Sequence, residues 1–226
     1  MTLRVRFQPI IDVRTASILG YESTMLGPQN ENALVLFSRS RNKLDLVELD
    51  RRAILLALER GLPLLRGDQK LFINLHEETV RRGLPLEIIQ KLDKVVLEIT
   101  EKVDLSEDTK PVIEYLTDKG ANFAVDDYGK QNSNIDRLTI DWFRPRYLKL
   151  DREFTSKINQ KHVLSVIKHT ISLCSDLNIK LIVEGIETQE QQNILMEQGV
   201  QYMQGYYLGM PSEAPMVGLN YCEKFA

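Results

Sequence analysis

Cysteine is nearly absent from this 226-residue chain: Cys174 and Cys222 stand far apart, and neither has a CxxC companion. That excludes a disulfide framework and a thiolate metal cluster. Two isolated thiols read as packing residues of a protein kept in a reducing cytoplasm. Long apolar runs are also missing. Ala53 to Leu58, the longest helical one, is bounded by Arg52 and Glu59 and cannot span a membrane. The N-terminus is charged early, at Arg4 and Arg6, and has no apolar core, so no signal peptide is expected. There is no basic stripe, and a net charge of -3 gives no reason to expect a nucleic-acid duplex as partner. Low-complexity stretches and linkers are absent too.

What is present is an ordinary globular composition, 43% hydrophobic and 27% charged, in a chain long enough for one large α/β barrel or two small domains. Strand-like runs alternate with helical ones. Strands are expected at Val5 to Val13, Ile18 to Met25, Leu71 to Leu75, Val95 to Thr100, Asn122 to Asp126, Arg146 to Leu150, Ile179 to Val183 and Gln201 to Gly205. Only Arg14 to Ser17 joins the first two, and a parallel crossover needs a dozen or more residues, so that pair must be an antiparallel hairpin. Helical sequence runs from Asn32 to Arg60 and again, broken by Gly83 and Pro85, from Arg81 to Lys91. Thr109 is the expected N-cap of a helix with Pro111 in its first turn and Gly120 at its stop. Lys161 to Leu177 carries Leu164, Ile167, Ile171 and Cys174 on one stripe. Thr188 and Gln191 form a capping box, and Gly199 closes that helix. A last helix is expected after Pro211. Eight strands with intervening helices argue for one α/β domain over residues 1–226, a TIM-like (β/α)8 barrel whose first strand is antiparallel.

The chemistry gathers at strand ends. Between Val95 and Gly129, two β-branched runs each finish in acids: Glu98 and Glu101, then Asp126 and Asp127. Side chains alternate along a strand, so Val96 and Glu98 share one face, as do Ala124 and Asp126. The same phase places Glu22 with Gly20, Asn74 with Phe72, Lys149 with Tyr147, Glu184 with Ile182 and Gln204 with Tyr202. Taken singly, each has an ordinary explanation: Asp126-Asp-Tyr-Gly129 as a turn, Lys149 as a side chain reaching for water, a lone acid as a surface group. Together they converge on the rim where barrels build active sites. His76, His162 and His169 show no such phase and read as structural or exposed.

Five carboxylates (Glu22, Glu98, Asp126, Asp127 and Glu184) around one mouth repel one another strongly, and Lys149 offsets only one charge. With Asn74 adding an amide carbonyl, the set offers oxygen donors alone, which suit Mg²⁺ or Mn²⁺ rather than Zn²⁺. Paired divalent ions acidify water and neutralise a leaving oxygen at phosphorus, so phosphate-ester hydrolysis is the reaction class the residues point to. A sugar-phosphate enzyme is less consistent, because no glycine-rich phosphate cup follows the seventh strand.

Phe7-Gln-Pro-Ile10, Gly20-Tyr-Glu-Ser-Thr24, Phe72-Ile-Asn-Leu75, Leu97-Glu-Ile-Thr-Glu101, Asp126-Asp-Tyr-Gly129, Leu148-Lys-Leu-Asp151, Val183-Glu-Gly-Ile-Glu-Thr188 and Gln204-Gly-Tyr206 follow one another in the order of the EAL domain family. The chain resembles these bacterial cyclic di-GMP phosphodiesterases from about Arg6 to Pro211. The resemblance implies a metal-dependent enzyme that opens cyclic di-GMP to pGpG and works as a homodimer. It implies that Glu22, Asn74, Glu98 and Asp126 hold a first ion, that Asp126 bridges to a second, and that Asp127 and Glu184 help to hold that one. Lys149 would orient the attacking water, and Glu184 has the alternative role of general base. Gln8 and Gln204 would border the substrate, and Glu101 would anchor the loop after the fifth strand.

The chain departs from the family in three places. The naming motif reads Glu22-Ser-Thr24, with the metal-binding glutamate kept. Leu26 stands where many members carry an arginine that contacts substrate phosphate. The loop Gly129-Lys-Gln-Asn-Ser-Asn134 lacks the usual glycine and aromatic. The alternative these departures favour is a non-catalytic cyclic di-GMP receptor or a protein-binding scaffold.

Overall fold

Eight strands close into a barrel in sequence order: β1 (Arg4–Asp12), β2 (Ser17–Leu26), β3 (Lys70–Asn74), β4 (Val95–Ile99), β5 (Asn122–Tyr128), β6 (Tyr147–Leu150), β7 (Lys180–Val183) and β8 (Tyr202–Met203). The computed structural model describes residues 2–100, 103–130 and 134–215. β1 is antiparallel to both of its neighbours, β2 and β8, and every other pair is parallel. The short hairpin connection required this, and it inverts β1 so that its first residues lie at the mouth where the other strands end. β8 is shorter than its sequence suggests. Beyond Met203 the chain leaves the ladder to follow the exit of β7, with Gln204 donating to Val183 and Ile186 donating to Gln204.

Helices α1 (Ala33–Ser38) and α2 (Lys43–Gly61) divide the first helical stretch, because Asn42 caps a new helix by accepting from the amides of Leu44 and Asp45. The broken stretch becomes α3 (Glu77–Arg82) and α4 (Leu86–Ile89), parted at Gly83. α5 (Lys110–Asp118) starts after Thr109 as expected, but the Thr109 hydroxyl does not cap it. It turns back to donate to the Asp104 carbonyl at 2.6 Å. A short helix, α6 (Arg152–Ser156), follows β6, with Asp151 accepting from the Glu153 amide. α7 (Lys161–Asp176) buries Val163, Ile167, Thr170 and Cys174. α8 (Gln189–Glu197) opens on the complete Thr188–Gln191 capping box. The expected closing helix does not start after Pro211: Ser212 pairs with Phe7 as an extended bridge and residues 213–215 are not helical, while residues 216–226 lie outside the described residues.

Strand alternation sorts the apolar side chains into two layers. Ile10, Phe72, Val96, Ala124, Tyr147, Ile182 and Tyr202 fill the barrel interior, where Phe72 meets Tyr147 edge to face. Leu71, Val95, Leu97, Phe123, Val125, Leu148 and Leu150 face outward into the helices. Each such side chain contributes roughly 1.5–3 kcal/mol by leaving water. Gly20 belongs to the inner layer, and a Cβ there would lie 2.1 Å from the Lys70 carbonyl oxygen, so β2 and β3 approach only because it is glycine.

Candidate active site

One step towards the mouth from that apolar floor, the inward positions turn polar on all eight strands or their exits. Gln8 and Glu22 face each other across the β1–β2 ladder, and Asn74 pairs with Glu98 across β3–β4. Asp126, Lys149, Glu184 and Gln204 complete the ring. Lys149 is 1% exposed, and its ammonium lies at the ring's centre. Nζ stands 2.8 Å from Glu98 Oε1, 2.8 Å from Glu184 Oε1, 3.0 Å from Asp126 Oδ1 and 3.2 Å from Glu22 Oε2. Asn74 Nδ2 donates to Glu98 Oε2 at 2.8 Å and to Glu22 Oε1 at 3.4 Å. Gln204 Nε2 donates to Glu22 Oε2 at 2.6 Å and to Gln8 Oε1 at 3.1 Å, while Gln8 Nε2 donates to the Gly209 carbonyl.

The electrostatics follow from burial. Removal from water holds Glu98 well above the usual carboxylate range; Lys149 opposes this, and Glu22 and Asp126 add to it. Burial and the carboxylates of Asp126 and Glu22, against the pull of Lys149, push Glu184 up to about 8. For Lys149, burial disfavours the charge, but Asp126, Glu184, Glu22 and Glu98 outweigh it and hold the ammonium protonated.

Four carboxylates around one ammonium leave excess negative charge among oxygen donors, which fits a hard divalent cation. Among the described residues no three acidic or histidine side chains surround a metal-sized point of their own. The ammonium occupies the point that the four carboxylates share.

Asp127 stands outside this cage. The β5–β6 register shifts between Val125 and Tyr128, and Asp127 takes a positive φ of 54° within the shift. Its Oδ2 faces Lys130 Nζ at 3.1 Å. Glu101 lies outside the described residues. Leu26 is buried and stands opposite Arg4 on the β1–β2 ladder. His76 is structural: its Nδ1 accepts from the Glu78 amide at the start of α3.

A cavity of about 160 Å³ opens beside the cage, lined by Gln8, Glu22, Glu184 and Gln204 together with Arg152, Gly185, Glu187, Gly205 and Tyr206. Arg152, Glu187 and Tyr206 were not legible as site residues, since each lies just past the in-phase strand end. For Tyr206 the signal was an aromatic beside a strand end, and it is 56% exposed. A larger cavity, about 480 Å³, lies between β2, β3 and the helices α1 and α2 around buried Asp50. It shares only Asn74 with the polar ring, so the chemistry belongs to the smaller one.

Among known proteins, the chain is 30% identical to the probable cyclic di-GMP phosphodiesterase PdeN of Escherichia coli, over 92% of this chain and 43% of that protein. It is 32% identical to the cyclic di-GMP phosphodiesterase RocR of Pseudomonas aeruginosa, over 74% of this chain and 45% of that one. It thus spans less than half the length of either relative. A standalone EAL protein from Vibrio cholerae, solved with c-di-GMP bound, superimposes with a TM-score of 0.83 at 29% identity, covering 98% of both chains. Residues 1–211, which include every member of the polar ring, match the EAL domain family, and the chain belongs to it.

Proposed function

We propose that this chain is a phosphodiesterase that hydrolyses cyclic di-GMP to linear pGpG with the help of two divalent ions, Mg²⁺ or Mn²⁺. The observation that carries this reading is the convergence of four carboxylates from four strands on the single Lys149 ammonium, beside an open mouth. The names of the curated relatives and the ligand of the Vibrio protein support the same substrate. Glu22, Asn74, Glu98 and Asp126 would hold one ion, with Asp127 and Glu184 serving the second or its waters. When bound, the ions supply an acidified water and neutralise the charge that develops on phosphate oxygens.

The chain's own groups do the positioning. Lys149 keeps its proton and can direct an N–H at a water held among the carboxylates. Its charge also offsets part of the cost of burying the Glu98 carboxyl so far from solvent. Glu184 reaches the same ammonium from β7, so it can accept a proton from a water held there as well as serve as a ligand. Gln204 ties Glu22 to Gln8, which keeps the antiparallel strand's contribution in register with the rest. Asn74 presents its amide to two carboxylates, and turning it over would offer Oδ1 to a cation instead.

The test is incubation of the purified chain with cyclic di-GMP and Mg²⁺ or Mn²⁺, read by chromatography for pGpG. Product that forms with either ion and stops with EDTA is the expected result. Tight binding with no product under either ion would make the chain a receptor.

A further inference from the structure

The inward face of the β1–β2 ribbon continues outward past the polar ring. Gln8 opposes Glu22, then Arg6 opposes Thr24 and Arg4 opposes Leu26. Alternation puts Arg6 and Arg4 on the face of Gln8, about 7 and 14 Å further out at roughly 3.4 Å per residue. Both guanidiniums turn to one neutral acceptor: Arg4 Nη2 and Arg6 Nη2 donate to Asn30 Oδ1 at 2.5 and 3.2 Å. Asn30 is fixed in a turn, at φ 65°, with its amide donating to Gly27. Arg4 has a further long contact, 3.7 Å, with Glu213. Among the described residues Arg6 has no carboxylate partner; its hydrogen bond is the one to Asn30.

One amide oxygen does not neutralise two cations, and two guanidiniums held together repel each other until an anion enters. The opposite condition holds at the ring, where carboxylates outnumber the lysine. The mouth is therefore negative at its floor and positive one rung above it on the β1 side. A ligand that matches carries two phosphodiesters a nucleotide apart, one at the floor and one at the ribbon. We propose that Arg6, backed by Arg4, binds the phosphodiester of cyclic di-GMP that is not cut, and so seats the other over the carboxylates. This rests on the phosphodiesterase reading. A guanidinium suits the task because its planar fork can give two parallel N–H bonds to one phosphate.

The experiment compares the unmutated chain with Arg6→Ala and Arg6→Lys. Binding of cyclic di-GMP is measured by calorimetry in EDTA. Kinetics with Mn²⁺ are measured on cyclic di-GMP and on bis(p-nitrophenyl) phosphate, a diester with one phosphorus that reads the floor alone. Arg6→Ala is expected to raise Kd and KM for cyclic di-GMP about tenfold, the loss of one charge-assisted contact. The ratio of kcat/KM between the two substrates should fall by about the same factor, and Arg6→Lys should lie between. An unchanged Kd overturns the proposal, as do equal losses on both substrates, which would mean that Arg6 only supports the fold. If the unmutated chain neither binds nor cuts cyclic di-GMP, the phosphodiesterase reading fails and takes this proposal with it; the unmutated control tells that failure apart from the others.

Discussion

The Lys149 ammonium lies 2.8 Å from Glu98 Oε1, and the two side chains are 1% and 0% exposed. Such a pair is costly to assemble and costlier to break, since losing one partner strands the other charge away from water. Lys149 is thus structural glue for four strands as well as a candidate catalytic group.

Lys149→Ala should therefore destabilise the metal-free protein by about 3–5 kcal/mol. Mn²⁺ should recover more of that loss than it adds to the unmutated chain, because it restores positive charge where the ammonium was. Thermal unfolding of both proteins, in EDTA and in Mn²⁺, reads this directly. Equal Mn²⁺ shifts in the two proteins would show that the carboxylates do not hold the ion. Turnover should fall far more than affinity for cyclic di-GMP.

Asp126→Asn tests the donor set from the other side. Asp126 follows Val125, the last regular pair of β5 with β6 before the register shift, and its Oδ1 stands 3.0 Å from the ammonium. The substitution keeps size and removes one negative charge where a shared ligand would sit. Formation of pGpG should drop below detection while Tm stays close to that of the unmutated chain. Undiminished turnover would refute the two-ion reading.

The barrel and its polar ring were legible because both rest on one rule, alternation along a strand. A single phase placed Phe72, Val96, Tyr147 and Ile182 inside, and it placed Asn74, Glu98, Lys149 and Glu184 one step above them. Asp127 is adjacent to Asp126, so alternation never put the two on one face, and the register shift and positive φ there turn it to Lys130. Thr109 stands at the N-cap position as expected, but its hydroxyl donates to the Asp104 carbonyl in the preceding turn and not to the helix. Arg152, Glu187 and Tyr206 lie on exits whose course depends on neighbouring loops, and no periodicity encodes that. The meeting of Arg4 and Arg6 at Asn30 was hidden for a similar reason, since it depends on the turn after β2.

Asp50 gives a pH dependence separate from the ring. Burial pushes its carboxyl up to about 6, against the Thr79 hydroxyl and the His76 amide, which favour the anion. The native state thus binds this proton more tightly than the unfolded chain does. The stability Asp50 contributes is fully present below its ordinary value near 4 and is lost as pH rises through about 6. The span corresponds to about 3 kcal/mol at roughly 1.4 kcal/mol per unit. Asp50→Asn should remove the dependence: relative to the unmutated chain, its stability should rise between pH 4 and pH 7. Urea unfolding of both proteins at the two pH values measures it, and a constant difference would contradict the assignment.

Gly205 separates the geometry of the ring from its chemistry. It follows Gln204 where the β8 exit crosses the β7 exit, and a Cβ there would lie 2.1 Å from the Ile186 carbonyl oxygen and 2.2 Å from its amide nitrogen. Those contacts are backbone, so no side chain can rotate away. Ile186 also accepts from the Tyr207 amide and donates to Gln204. Gly205→Ala must therefore push the two exits apart, and with them Glu184 and Gln204. Because no atom of the ring is replaced, any loss of turnover reports position alone, and small displacements at a catalytic set are expensive. The control is Gly67→Ala, at φ 54° with nothing within 4 Å of a Cβ, which should cost only the roughly 1–2 kcal/mol of a left-handed residue and leave turnover intact. Gly205→Ala should lower kcat on cyclic di-GMP by at least about tenfold, and Tm by more than the control does. Matching kinetics in the two variants would mean that the exits can part without moving the ring.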